Sequence, residues 1–173
     1  MSFLKADNIK LKEQVEDLEK RIANLAGSMR IFSSGMPGHE QDMSSQIMNL
    51  ITSVTDEMKI VVPYITQEYS MILLDRAKNN IKVQIVTNDR RFWPAEHQKV
   101  YDVLKVTRNI NLVNLPGVYY LMVLTAKEAI VSSAPLDKNI LTKSILIGFL
   151  IKERIKLEEL GVIFKEMLPS FMR

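Results

Sequence analysis

Three short runs rich in β-branched residues, KIVVPYI (59–65), IKVQIVT (81–87) and INLVNL (110–115), are separated by stretches long enough for a helix. That alternation constrains the fold more than any other feature of the chain. Strands interleaved with helices build a parallel sheet whose strands are buried on both faces, and such strands read as continuous apolar runs. The intervening segments 67–79 and 96–106 have helical character, with Met71, Leu73, Leu74 and Ala77 as the apolar set of the first. Pro116-Gly117 closes the third run. The following segment, YYLMVLTAKEAIVSSAP (119–135), reads as two strands, 118–124 and 129–133, around a tight turn. A last strand is expected over 145–151 (ILIGFLI). A last helix is expected over 156–168, with Leu157, Leu160, Ile163, Phe164 and Met167 facing inward. A helix over 41–57 opens this part of the chain, with Met43, Ile47, Leu50, Ile51 and Val54 at helical spacing. The fold class is therefore α/β: a mixed sheet flanked by helices.

The first thirty residues follow a different rule. Leu4, Leu11, Leu18 and Leu25 recur at seven-residue spacing, and Met1, Asn8, Val15 and Ile22 stand three residues before them. Leu at d with β-branched residues at a favours a parallel two-stranded coiled coil. Asn8 falls at an a position, where a buried amide pairs with its twin and fixes register. Asp7 and Lys12 stand at g and e, an attractive pair between parallel chains. A helix packed on its own domain is the alternative, but it would show a wider apolar face than this a/d stripe. The pattern can be extended through Met29 and Phe32, although Gly27-Ser28 weakens the helix there. The expected organisation is a coiled-coil dimerisation helix over 1–32, a Gly/Pro/Ser linker over 33–40 that contains His39, and an α/β domain over 41–173. Four heptads make a modest coil, so the α/β domain is expected to dimerise too.

The 173 residues are 47% apolar and 25% charged, enough for a packed core. Cysteine is absent, which excludes disulfides, thiolate metal sites and cysteine nucleophiles. Two histidines, His39 and His97, do not supply a multi-histidine metal site, and neither metal nor cofactor is expected. A net charge of +3 does not argue for nucleic-acid binding by itself. No apolar run suggests a transmembrane helix, and no Gly-rich dinucleotide or phosphate loop follows a strand. A cytoplasmic protein is the expectation.

The order of elements from about 41 to 170 resembles one half of the phospholipase D superfamily. KIVVPYI looks like its opening strand, and LLDRAKNNIKVQIVTN is similar to its helix, turn and second strand. The hairpin lands where that family carries H-x-K-x4-D-x6-G-S-x-N. Without a gap, the frame falls here on Val118, Tyr120, Thr125, Ser132, Ser133 and Pro135. In the active family the His is nucleophile or acid, the Lys and Asn hold phosphate, and the Asp supports a His. Valine can neither attack phosphorus nor move a proton, and Tyr120 carries no fixed positive charge. Only Ser133 is retained, so the resemblance implies a domain without catalytic residues. The sole H-x-K of the chain, His97-Gln98-Lys99, follows Pro94 at a helix start and has Leu104 where the frame needs Asp. The coil placed before such a domain looks like the carboxy-terminal half of TrmB-type archaeal transcription regulators. That resemblance implies a homodimer with a small-molecule effector, often a sugar. DNA would be contacted only through a winged-helix domain that this chain does not contain. A fragment of a longer regulator and a stand-alone relative are both open.

Candidate ligand residues follow from the frame. Tyr120, Thr125 and Ser133 surround the altered pocket and offer hydroxyls to a neutral polar ligand, with core filling as the alternative for Tyr120. Arg90, Arg91 and Trp93 lie in a loop after the second strand, a common place for binding residues. Trp93 could stack on a sugar or instead cap the core. The dimer seam is assigned to Leu4, Asn8, Leu11, Val15, Leu18, Ile22 and Leu25. Two further functions compete with a ligand sensor. One is a protein-interaction or membrane-associated adaptor on an inactive domain, and the other is a phosphodiesterase using His97.

Overall fold

The computed structural model describes residues 11–18, 21–22, 28–35 and 43–172. Residues 11–18 and 21–22 are helical and form α1. The other elements are β1 (Met29–Ser34), α2 (Met43–Ser53), β2 (Glu57–Val62), α3 (Gln67–Lys78), β3 (Lys82–Thr87), α4 (Gln98–Val106), β4 (Ile110–Asn114), β5 (Leu121–Leu124), β6 (Ala129–Ser132), α5 (Lys138–Lys143), β7 (Leu146–Ile151) and α6 (Arg154–Glu166). Short 3₁₀ turns occupy Arg90–Phe92, Ala95–His97 and Ser170–Met172.

One seven-stranded sheet runs in the order β1-β7-β6-β5-β2-β3-β4. β2, β3 and β4 are parallel, because a helix connects each to the next. The hairpin β5–β6, followed by β7 and β1, extends the sheet antiparallel. Alternate side chains divide the sheet between two cores. Ile60, Val62, Val83, Ile85, Leu121, Val123 and Ile130 meet α2, α3, α4 and α5 in the larger one. Val61, Val86, Met122, Leu124 and Ala129 meet Phe164 and Leu168, on and just after α6, in the smaller one. Ile60, Val61 and Val62 are apolar in succession because this part of β2 is covered on both sides. Inside the larger core the Tyr69 and Ser44 hydroxyls share a 2.7 Å hydrogen bond that ties α3 to α2.

Two expectations need correction. Residues 29–32 do not continue the coil, and residues 33 and 34 are not linker. Met29–Ser34 is an edge strand, antiparallel to β7. Phe32 turns into the larger core opposite Gly148, where an added Cβ would lie 2.7 Å from its ring. Arg30, Phe32 and Ser34 thus share one face with period two, and that period overrides the heptad phase. The second correction is α5, a helix the sequence analysis left unassigned. The Asp137 carboxylate caps it by accepting from the Asn139 and Ile140 N–H groups. Leu4, Asn8 and Leu25, like Asp7 and His39, lie outside the described residues. Leu11, Val15, Leu18 and Ile22 are all exposed, between 51% and 63%. Among the described residues no helix is long and apolar enough to cross a membrane.

Candidate functional site

The carboxyl ends of the parallel strands are held together by one amide. Asn88, just past β3, accepts from the Gly117 and Val118 N–H groups at 3.1 Å each. Its amide NH₂ donates to the Val118 carbonyl at 2.8 Å and reaches the Pro63 carbonyl at 3.5 Å. Gly117 adopts φ +85°, which a side chain would resist, and this turns the chain into the clamp. Val118 is 3% exposed and packs in the core under α6. Val118 is therefore an apolar, buried side chain on a clamped backbone.

Tyr120 and Ser133 come together, because Leu121 pairs with Ser132 in the β5–β6 register. Tyr120 is half-buried against the α6 core, and its hydroxyl lies 3.7 Å from the Met167 sulfur. Burial raises the Tyr120 phenol above its ordinary value. Ser133 is exposed. Ser132 is buried and donates to the Ile147 carbonyl at 2.9 Å. Thr125 lies at the other end of the hairpin, roughly 16 Å along the strand from Tyr120 at about 3.3 Å per residue. Its hydroxyl donates to the Glu128 carbonyl at 2.8 Å and accepts from the Lys127 and Glu128 N–H groups. Thr125 thus closes the turn, and the three hydroxyl candidates do not form one cluster.

The loop after β3 is similarly divided. Trp93 is 2% exposed. Its indole N–H is shared between the Thr87 hydroxyl at 3.1 Å and the Asn88 carbonyl at 3.2 Å, and its ring packs edge-on against Tyr101. This is the core-capping arrangement. Arg90 makes a two-pronged pair with Asp102, at 2.7 and 2.8 Å, and also donates to Gln98, fastening the loop to α4. The Arg90 hydrogen bond holds the exposed Asp102 carboxyl below its usual range. Arg91 is 78% exposed, with its guanidinium 4.8 Å from the centre of the Phe92 ring and its Nε 3.7 Å from Asp89. Of the three loop candidates, Arg91 alone keeps its charge largely in solvent.

His97 stacks on Tyr64 at 5.6 Å, and Tyr64 borders the larger core. His97 is therefore associated with the opposite face from Val118. Among the described residues no group of three His, Asp or Glu side chains is arranged to hold a metal ion. A cleft of about 620 Å³ opens at the other end of the hairpin, lined by Lys59, Leu124, Thr125, Arg154, Gly161 and Lys165 among others. Its size suits a small ligand. Sequence reasoning missed it because it exists only once α6 is laid against β2 and β5, and no local pattern encodes that placement.

No family model matches the chain, and no curated protein matches it in sequence. Solved structures do match. NucT from Helicobacter pylori superposes with a TM-score of 0.68 at 16% identity, over 80% of this chain and 95% of its own. Nuc from Salmonella typhimurium, a phospholipase D family member, gives 0.68 at 13% identity, over 80% and 93%. TrmBL2, an archaeal chromatin protein, gives 0.58 at 12% identity, over 95% of this chain and 66% of its own. The seven-stranded mixed sheet with its flanking helices is thus a phospholipase-D-like fold, with structural likeness also to TrmBL2.

Proposed function

We propose that this chain is a non-catalytic, dimeric regulatory module of a TrmB-like transcription regulator and senses a small ligand, a sugar being the expected class. The observation that carries the reading is the strand end at Val118. There the signature frame supplies no side chain able to attack phosphorus and no fixed cation to hold it, while Asn88 fastens the backbone. The likeness to TrmBL2, whose structure is described as showing a novel mode of DNA binding, supports the regulatory half of the reading. It covers 95% of this chain, against 80% for the two Nuc proteins. The exposed a/d ladder of α1 supports the homodimer. DNA is reached through a domain other than this one.

Two places suit an effector. Tyr120 and Ser133, with Arg91 as a charged candidate, mark the strand end. Thr125 belongs to the cleft at the opposite end. Trp93 and Arg90 contribute by shaping the loop, since both already have partners. Thermal unfolding of the chain against sugars, nucleotides and phosphates tests the sensor. A ligand at 100 times its dissociation constant adds about 2.7 kcal/mol of stability. A shift lost in Tyr120→Ala assigns the strand end, and one lost in Lys165→Ala assigns the cleft. No shift with any compound favours the adaptor, and phosphodiester hydrolysis abolished by His97→Ala overturns the non-catalytic reading.

A further inference from the structure

The outer margin of the sheet is finished differently on its two sides. On one side, Phe32 of β1 and Leu146 and Leu150 of β7 join the larger core. On the other, the register sets Met29 opposite Ile151, Ile31 opposite Phe149 and Ser33 opposite Ile147. Alternation turns these residues toward the side that carries α6. Yet Met29 is 45% exposed, Ile31 65% and Ile147 57%, and Ile155 in the first turn of α6 is 61% exposed. An antiparallel sheet with one wet face ordinarily alternates apolar and polar residues. This margin carries large apolar side chains on both faces, and on its second face Met29, Ile31 and Ile147 remain in solvent beside Ser33.

The chain itself indicates the occupant. β1 is the next described element after α1, and Ile22 precedes Met29 by seven residues. Pairing of two α1 helices in parallel delivers both copies of β1 to the same end of the coil. We infer that the exposed strip of β1 and β7, centred on Ile31 and Ile147, is a contact between two copies of this chain, continuous with the α1 seam. The inference rests on the homodimer proposed above and adds its second interface. An isologous contact uses the same patch twice, which suits a self-complementary aliphatic strip. Tethering by the coil raises the local concentration of one strip around the other to the order of mM, so a small patch suffices.

Sedimentation equilibrium of the full chain and three variants tests this: Leu11→Lys/Leu18→Lys in the coil, Ile31→Glu/Ile147→Glu in the strip, and the two combined. All four positions are exposed, so circular dichroism should be unchanged. The strip variant is expected to raise the dimer dissociation constant at least tenfold, and the combined variant to be monomeric. A strip variant within twofold of the original chain overturns the inference. A coil variant equal to the original chain overturns the coil and leaves the strip standing. A monomer at every concentration overturns both. The chain has no cysteine, so Ile147→Cys supplies a single thiol. Its maleimide labelling should slow as the dimer forms, and a rate independent of concentration also rejects the strip.

Discussion

The face of the sheet under α2, α3, α4 and α5 and the face under α6 use the same strands but are closed to different degrees. The first buries Tyr69, Met43, Ile47, Ile51 and Ile85 completely and satisfies its Tyr69 hydroxyl internally. The second rests on one helix, with Phe164 as its only fully buried residue from α6, and leaves Ile31 and Ile147 uncovered beside it. Under the proposed function this is a division of labour: one face carries stability, and the other carries contacts. Val118 and Tyr120 belong to the second face, as does the Thr125 cleft beneath α6.

The largest expected effect tests that division directly. Phe164→Ala should cost about 3–5 kcal/mol and Leu73→Ala about 2–5 kcal/mol, as large-to-small changes in closed cores do. Their distribution should differ. Amide exchange after Phe164→Ala should accelerate mainly in α6, while β2, β3 and β4 stay protected. Leu73→Ala should lower protection throughout, because four helices and the sheet share its core. Equal loss of protection in α6 and β3 after Phe164→Ala would make the two faces one cooperative unit.

A smaller effect sharpens where β1 belongs. An added Cβ at Gly148 would meet the Phe32 ring at 2.7 and 2.9 Å and the Met43 methyl at 3.0 Å. Gly148→Ala should therefore cost about 1–3 kcal/mol by overpacking. Combined with Phe32→Ala, most of that cost should vanish, because the two residues are register partners and their effects are coupled. Urea denaturation of the four forms measures the coupling. Simple additivity would mean that β1 is not held by the larger core.

These two faces also show how far the sequence could be read. β2 and β3 were legible because their central residues, Ile60-Val61-Val62 and Ile85-Val86, are covered on both faces and stay apolar in succession, and the edge strand β4 because Ile110, Leu112 and Val113 keep it apolar between its asparagines. The hairpin was legible because two apolar runs, 121–124 and 129–132, flank a short polar turn. β1 was misread because Met29 and Phe32 fit a heptad as well as a strand. Its partner, β7, lies over a hundred residues away and leaves no local trace. α5 escaped notice because it has six residues and depends on a cap from Asp137. At the site, Arg90 and Trp93 looked available in sequence. Their partners Asp102 and Tyr101 become visible only after α4 is docked, and Thr87 only once the loop folds back on the end of β3. Ile31 and Ile147 are ordinary strand residues until the sheet shows that nothing in the described chain covers them.

The smallest expected effect compares a tyrosine from each face by titration. Tyr120 borders the α6 core, and burial raises its phenol above the ordinary value. Tyr64 borders the larger core and is raised by burial first and by the Asp137 carboxylate second. A phenol whose folded pKa exceeds its unfolded value of about 10 ionises first in the unfolded chain. Its contribution to stability is complete below that unfolded value and is lost as pH rises through the folded one. Tyr120→Phe gives up only the 3.7 Å contact with the Met167 sulfur. Its melting temperature at pH 7 should stay close to that of the original chain, and its decline above about pH 10 should be shallower. Tyr64→Phe should flatten the same limb while also losing the 3.4 Å hydrogen bond to Asp137 at neutral pH. An alkaline limb unchanged by Tyr120→Phe but flattened by Tyr64→Phe would mean that water reaches the Tyr120 phenol freely. The strand end beneath α6 would then be open to a ligand without any movement of the helix.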